Sequence, residues 1–302
     1  MAIHNRILHN RTIRDASSAE FRAGQLGLLA GWGVFSTLRV AEGALFAWER
    51  HWARMSRDAR LLNVAMPHEA GVVEADLTRL VEANGRPNCT LRVVVVRNGG
   101  GMWEGPGASP SSDRIAMTAD SKAWGESVRL TVQPNARFAA NEFAGAKILS
   151  WAHNLTWAER AQRQGFDETI LLNERGAVAE CTSANIFAVH GSHVWTPPLS
   201  DGCLGGITRE VLLNEVLLNE VRAEGIAIGE RSLSLEDLYS ADEVFITSTT
   251  RDLMPVREIC GRELKRVASL RHSGGVRERI AAEFRRFVAC DIAGRKAAPV
   301  HA

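Results

Sequence analysis

Neither a strong charge of one sign nor a long apolar run occurs in this sequence of 302 residues. Its 36 basic side chains are balanced by 35 acidic ones, which leaves a formal net charge of +1. A chain without a single-signed field has nothing to attract nucleic acid or an anionic membrane surface. No apolar run approaches the roughly 20 residues that cross a bilayer, and the polar start of the chain lacks the apolar centre of a signal peptide. We therefore expect a cytoplasmic protein that binds neither nucleic acid nor a membrane.

The cysteines and histidines are not arranged as in a metal-binding or disulfide-stabilised protein. The five cysteines are odd in number, lie far apart and form no CxxC pair. The nine histidines form no HExxH pattern. Neither a bound metal nor a disulfide framework is therefore expected, and a reducing compartment fits this cysteine usage.

Lysine is scarce, and one lysine stands in an unusual place. The lysines of the chain are Lys122, Lys147, Lys265 and Lys296. Lys147 lies within "FAGAKILSW", a run that is otherwise almost apolar. An arginine stays protonated, whereas a lysine in a dry site can lose its proton and attack a carbonyl. Lys147 is therefore a candidate to form a Schiff base with pyridoxal phosphate, although lysines in such places more often extend their charge to solvent.

A Schiff base with pyridoxal phosphate also requires a site for the phosphate. The segment "CLGGITRE", residues 203–210, places two glycines before a predicted helix start near Thr208. Free N–H groups and the positive end of a helix dipole meet at such a point. Thr249 could add a hydroxyl at the end of a strand, and Arg54 could add a cation. Taken singly, each of these features is more often a loop, a helix cap or a surface group.

Glu180 could serve the pyridine nitrogen of the same cofactor. It follows small apolar residues in "AVAECTSANIF", a place where a carboxylate is buried only if it is paired. A carboxylate beside that nitrogen keeps it protonated, and a protonated ring is the strong electron sink that transamination needs. The alternative is an exposed glutamate in a turn.

The order of these segments along the chain resembles that of one enzyme family. Lys147 is followed by "AECTSANIF", "TPP", "LGGITRE" and "ADEVFITSTTRDLMPV", and it is preceded by "GWGVFSTLRVAEGALFAWERHWARM". Over residues 25–260 the chain is similar to the class IV (fold type IV) pyridoxal-phosphate aminotransferases. That family includes branched-chain aminotransferases, D-amino acid aminotransferases and aminodeoxychorismate lyases. The resemblance implies an enzyme that moves an amino group from an amino acid to a 2-oxo acid.

For the fold, the resemblance implies a two-domain α/β (α+β) enzyme of fold type IV. A smaller N-terminal α/β domain is expected at residues 1–121 and a linker at 122–126. A larger, cofactor-binding C-terminal domain with a barrel-like sheet is expected at 127–290, followed by a flexible tail at 291–302. The family forms homodimers, and the glycine-rich loop 98–113 is a candidate to close the active site of the neighbouring subunit.

For the site, the resemblance implies a set of cofactor-binding residues. Lys147 would form the Schiff base and later move the proton between the substrate α-carbon and the cofactor. Glu180 would hold the pyridine nitrogen, with Asn185 close to that carboxylate. The phosphate would be bound by Arg54, Gly206, Ile207, Thr208 and Thr249.

At the substrate positions the sequence departs from each branch of the family. Branched-chain enzymes line their pocket with tyrosines, whereas this chain has a single one, Tyr239, and Trp151 stands where relatives have a tyrosine after the lysine. The Arg-x-His of the D-amino acid enzymes falls on Met102 and Glu104, and Glu104 would repel a carboxylate. The lyases are matched at Thr37, which corresponds to a threonine of their elimination chemistry.

We favour a branched-chain or other aliphatic amino acid as the donor and 2-oxoglutarate as the acceptor. The first alternative is an aminodeoxychorismate lyase that forms 4-aminobenzoate and pyruvate, and the second is a D-amino acid or (R)-amine transaminase. The backbone amides at Thr249 and Thr250 are candidates to bind the substrate carboxylate. A guanidinium can bind a carboxylate through two parallel hydrogen bonds, so Arg251 and Arg92 are further candidates.

Overall fold

The computed structural model describes residues 2–21, 25–100, 105, 111–216, 225–264 and 275–297. The chain divides into two compact units. The first unit comprises Met1–Ala123, Lys147–Trp151 and Val288–Ala302, and the second comprises Trp124–Ala146 and Ala152–Phe287. The units are therefore discontinuous along the chain, whereas the sequence predicted two continuous domains. In particular, Lys147 belongs to the first unit although the chain on both sides of its segment belongs to the second.

The first unit is built on a six-stranded antiparallel sheet. Its strands are β1 (Ile3–His9), β2 (Thr12–Asp15), β3 (Gly33–Ala41), β4 (Ala44–Leu45), β5 (Cys89–Arg97) and β6 (Ser112–Ala119). Its helices include α1 (Leu26–Ala30), α2 (Trp48–Leu61) and α3 (Ala70–Asn84). The strand order is β2-β1-β6-β5-β3-β4, so β5 lies in the interior of the sheet. The β-branched run "VVVV" of β5 suits a strand that is covered on both faces.

Helix α2 has a buried face that is unusually polar. The buried residues recur every three or four positions and are Trp48, His51, Arg54, Met55, Asp58 and Ala59. That spacing marks a single face of an α-helix. Three of these side chains are apolar and join the core of the first unit, but the other three are ionisable. Buried ionisable groups need partners, so this face of α2 is a place to look for a functional site.

The second unit is built on a nine-stranded mixed sheet that curls into a half-barrel. Its strands are β7 (Val128–Arg137), β8 (Glu168–Asn173), β9 (Val178–Cys181), β10 (Asn185–His190), β11 (His193–Thr196), β12 (Ala227–Glu230), β13 (Glu243–Ser248), β14 (Asp252–Ile259) and β15 (Arg262–Glu263). Its helices include α4 (Ala152–Arg163), α5 (Ile207–Val211) and α6 (Leu235–Ser240). The strand order is β12-β11-β10-β13-β14-β7-β8-β9, with β15 paired to β14. The predicted α/β (α+β) class and the barrel-like sheet in the C-terminal half are thus confirmed.

The last helix of the described chain corrects the prediction for the C-terminus. Residues 291–302 were predicted to be a flexible tail; of these, 291–297 form the end of helix α7, which runs over Val276–Ala297, and 298–302 lie outside the described residues. Arg295 near its end donates hydrogen bonds to Glu74 at 3.1 Å and to Asp291 at 2.9 Å. Asp291 in turn accepts a 3.0 Å hydrogen bond from the backbone N–H of Ala47. These contacts hold the end of α7 on the first unit, and no described helix is both long and apolar enough to cross a membrane.

Candidate functional site

The backbone of Lys147 is held on both sides of the residue. Its carbonyl accepts a 3.2 Å hydrogen bond from the N–H of Phe35, and its own N–H donates a 2.9 Å bond to Oδ2 of Asp58. Two residues on, the N–H of Leu149 donates to the carbonyl of Gly33 at 2.9 Å. A Cβ on Gly33 would collide with the carbonyl oxygen of Val95 on β5 and would lie 2.7 Å from the Leu149 side chain, so this position of β3 needs glycine for space. The backbone of the segment that contains Lys147 is thus hydrogen-bonded to the start of β3.

The side chain of Lys147 lies against two aromatic rings. Its Nζ is 4.5 Å from the ring centroid of Phe35 and 5.5 Å from that of Trp151. The two rings pack edge to face with their centroids 5.7 Å apart. Both rings therefore cover the lysine on an apolar side, and Trp151, a predicted substrate residue, is next to the predicted reactive amine.

Arg54, the predicted phosphate cation, is supported by a buried serine and histidine. Its Nη2 donates a 2.9 Å hydrogen bond to Oγ of Ser36, and that hydroxyl is also 2.7 Å from Nδ1 of His51. Burial, together with the positive charges of Arg54 and Lys147, lowers the pKa of His51 well below its ordinary value. His51 is therefore neutral at physiological pH and can hold the serine without adding charge beside Arg54. Neither Ser36 nor His51 was predicted to support Arg54.

Arg92 lies on the same sheet as Phe35. It is the cross-strand partner of Thr37, and its guanidinium carbon is 4.3 Å from the Phe35 ring centroid. Burial lowers the pKa of Arg92. Among the residues that the structure describes, no carboxylate forms an ion pair with it, and its Nε is buried without a hydrogen-bond partner. Arg92 is thus a cation that is available to bind an anionic ligand.

In the second unit, Glu180 on β9 is held at both carboxylate oxygens. Oε1 accepts a 3.1 Å hydrogen bond from Nε of Arg137, and Oε2 accepts one of 3.1 Å from the N–H of Leu204. Arg137 also donates to the side-chain oxygen of Asn154 at 3.1 Å. Glu180 is buried and forms an ion pair with Arg137. A carboxylate can accept about four hydrogen bonds, so Glu180 retains capacity for a further donor.

The glycine segment before α5 forms a narrow turn, and the N–H donors beside it are available to an anion. Asn185 donates a 2.8 Å hydrogen bond to the carbonyl of Leu204, and the N–H of Gly206 donates to that same oxygen at 2.9 Å. Gly206 caps α5, whose first N–H groups, at Ile207 and Thr208, have no acceptor within the helix. The hydroxyl of Thr208 is buried and has no hydrogen-bond partner among the described residues. A buried hydroxyl that lacks an acceptor, beside free N–H groups, suits a phosphate oxygen.

Gly206 is required here for space rather than for its backbone angles. Its φ of −69° is open to any residue, but a Cβ would collide with Oδ1 of Asn185. We expect Gly206→Ala to displace Asn185 and the start of α5, and to weaken binding of pyridoxal phosphate about tenfold or more, as the loss of one charge-assisted hydrogen bond would. The measurement is a fluorescence titration of the apoprotein with the cofactor. Gly71→Ala is the matched control, because a Cβ at that position in α3 meets nothing within 4 Å, and equal affinities of the two variants would contradict the expectation.

The turn after β13 is fixed by contacts within the second unit. The N–H of Arg251 donates to the carbonyl of Ser248 at 3.2 Å, and Nε1 of Trp124 donates to the carbonyl of Thr250 at 2.8 Å. The Arg251 guanidinium lies 4.0 Å from the Trp124 ring centroid and donates a 2.6 Å hydrogen bond to buried Glu168. Arg251 is therefore paired with a carboxylate of the protein itself. Arg92 is the better candidate of the two for a substrate carboxylate.

The predicted residues divide into two groups, one in each unit. The group in the first unit consists of Thr37, Arg54, Arg92, Lys147 and Trp151. The group in the second unit consists of Glu180, Asn185, Gly206, Ile207, Thr208, Thr249, Thr250 and Arg251. Met102 and Glu104, used above to weigh the D-amino acid branch, lie outside the described residues. Sequence reasoning missed Arg137, Asp58 and Glu168, since nothing local marks them as partners of the predicted residues.

Comparison with known proteins identifies a family and several relatives of this chain. The profile of the family described as amino-transferase class IV matches residues 33–259. A protein of Methanocaldococcus jannaschii, provisionally named a branched-chain-amino-acid aminotransferase, is 30% identical over 85% of this chain and 88% of its own. A D-alanine aminotransferase of Bacillus licheniformis is 27% identical over 86% of this chain and 90% of its own. The crystal structure of a branched-chain aminotransferase from Thermoproteus uzoniensis with norvaline superimposes with a TM-score of 0.82 at 26% identity, over 95% of this chain and 96% of the other.

Proposed function

The chain belongs to the class IV aminotransferase family and has its fold type IV, and from this we propose that it uses pyridoxal phosphate to pass an amino group from an amino acid to a 2-oxo acid. Its relatives described above are aminotransferases, which favours amino transfer over the lyase reaction. The observation that carries the proposal is Glu180, a buried carboxylate held by Arg137 and by a backbone N–H. Such a charged group in the interior is expected where a protonated ring nitrogen must be stabilised.

The proposed roles of the cofactor-binding residues are those that the family resemblance implies. Lys147 would attach to it covalently, and Glu180 would bind its pyridine nitrogen. The N–H groups of Ile207 and Thr208, the Thr208 hydroxyl, Thr249 and Arg54 would bind its phosphate. When bound, pyridoxal phosphate supplies an electron sink that stabilises negative charge on the substrate α-carbon.

The proposed reaction also requires this chain to move one proton. Lys147 would take up the proton of the substrate α-carbon on its Nζ. The rings of Phe35 and Trp151 beside that Nζ limit the water around it. Less water means less competition for the proton and stronger electrostatic interactions within the site.

For the amino donor we propose an aliphatic L-amino acid, with a D-amino acid as the second candidate. Two of the relatives are named for branched-chain substrates and one for D-alanine, and Phe35 and Trp151 offer an apolar wall for an aliphatic side chain. A panel of L- and D-amino donors, each with a 2-oxo acid, tests the assignment, with the visible spectrum of the bound cofactor as readout. Formation of 4-aminobenzoate without amino transfer would contradict the proposal in favour of the lyase.

For the acceptor, Arg92 is proposed to bind a side-chain carboxylate such as that of 2-oxoglutarate. We expect Arg92→Met to raise KM for 2-oxoglutarate about tenfold to a hundredfold, since a charge-assisted hydrogen bond contributes roughly 1.5–3 kcal/mol. KM for pyruvate, which has no second carboxylate, should change little. The measurement is steady-state kinetics with both acceptors, and Arg60→Met is the control because Arg60 is exposed on α2. Equal rises in both KM values would contradict this role.

We also propose that the enzyme is a homodimer, as the family resemblance implies, and that it is cytoplasmic, as its scattered cysteines favour. The loop 98–113 remains the proposed element that closes the neighbouring active site, although its residues 101–104 and 106–110 lie outside the described residues. Light scattering of the purified protein measures the oligomeric state, and a mass equal to one chain would contradict the dimer.

A further inference from the structure

A buried aspartate on α2 holds the backbone of Lys147. Oδ2 of Asp58 accepts the 2.9 Å hydrogen bond from the Lys147 N–H, and Asp58 is only 1% exposed. Its Oδ1 accepts from Nε of Arg57 at 2.9 Å and from Nη2 at 2.7 Å. The carboxylate thus has one oxygen for the lysine segment and the other for a half-exposed arginine.

We propose that Asp58 is a positioning residue for Lys147, and that helix α2 sets the lysine relative to the cation that binds the cofactor phosphate. The second half of this statement rests on the proposed function, in which Arg54 is that cation. Arg54 and Asp58 are four residues apart on one buried helix face, which corresponds to about 6 Å along the axis. A rigid helix therefore fixes the spacing between the two groups.

The backbone of Lys147 is held on both sides of the residue. The Phe35 N–H holds the peptide after the lysine, and Asp58 holds the peptide before it. A hydrogen bond to a charged acceptor is roughly twice as strong as one to a neutral acceptor, and it strengthens in a buried setting. The bond from the Phe35 N–H is part of the backbone pairing with β3, whereas the bond to Asp58 is not. The bond to Asp58 can therefore be removed without breaking the sheet.

The first test uses the apoprotein and needs no bound cofactor. Amide hydrogen exchange at Lys147, followed by NMR, should be about tenfold to a hundredfold faster in Asp58→Ala, because the amide loses a charged acceptor. In Asp58→Asn the amide oxygen can still accept, so exchange should return most of the way to the wild-type rate. The amide of Val93 in β5 serves as an internal reference. Unchanged exchange at Lys147 in Asp58→Ala, with the Val93 amide equally unchanged, would overturn the proposal.

The second test measures the consequence for the lysine side chain. Each variant is mixed with pyridoxal phosphate and reduced with borohydride, and the modified peptide is identified by mass spectrometry. Labelling of Lys147 should be about tenfold slower in Asp58→Ala and should recover in Asp58→Asn. Equal labelling rates in Asp58→Ala and wild type would overturn the positioning role. If wild-type Lys147 were not labelled at all, the proposed function would fail, while the exchange result would still decide whether Asp58 holds the segment.

Discussion

Replacement of Lys147 by alanine is expected to abolish both transamination and covalent attachment of the cofactor. General base catalysis alone contributes about 10²–10⁴-fold to a rate, and the variant also loses covalent attachment, so turnover should fall by at least about 10³-fold. The fold should survive, because the bonds that hold the segment come from the backbone of Lys147 rather than from its side chain.

Two measurements together check this result. Steady-state rates report turnover, and borohydride reduction followed by peptide mapping reports covalent attachment. The scarcity of lysine makes the mapping simple, and Lys122→Ala is the matched control because Lys122 is exposed. Retained transamination in Lys147→Ala would overturn the assignment of this lysine.

Glu180→Gln is expected to lower kcat by about 10²-fold or more, as the loss of one preorganised electrostatic group does in other enzymes. Glutamine has the shape of glutamate and can still accept from the Leu204 N–H, but it has no charge to keep a pyridine nitrogen protonated. The change also leaves Arg137 without its carboxylate, which we expect to lower the free energy of unfolding by about 1–3 kcal/mol.

The double variant Glu180→Gln/Arg137→Gln separates these two effects. Removal of both charges leaves no single buried charge, so stability should recover in part, whereas turnover should stay low. Urea unfolding measures the stability, and initial rates at saturating cofactor measure the turnover. If the double variant regained activity together with stability, the role of Glu180 would be structural.

Lys147 and Glu180 could be recognised in the sequence because each is an ionisable residue within a run of apolar neighbours. Their partners could not be recognised in the same way. Asp58 is 89 residues from Lys147 and Arg137 is 43 residues from Glu180, and neither has an unusual local sequence. Such pairings depend on strand register and helix placement, which composition and spacing do not contain.

The structure departs from the predicted domain bounds at two places, for a related physical reason. The composition of the C-terminal residues "AGRKAAPVHA" is typical of an unstructured segment. In the structure, however, Arg295 donates a hydrogen bond to Glu74, and Lys296 forms an ion pair with Glu42. The two units differ from the predicted continuous domains because the segment around Ile148 pairs with Val34, which lies in a strand from a distant part of the chain. In both cases long-range pairing outweighs local composition.

The passage of the chain from the second unit into the first and back at Lys147–Trp151 has a consequence for biosynthesis. The bridge from Val34 to Ile148 spans more than a hundred residues, and closing so long a loop is slow relative to pairing of neighbouring strands. On the ribosome, β3 is therefore made well before the segment that completes its edge. A nascent chain that stops short of residue 147 carries all six strands of the first sheet but lacks the segment that pairs with β3.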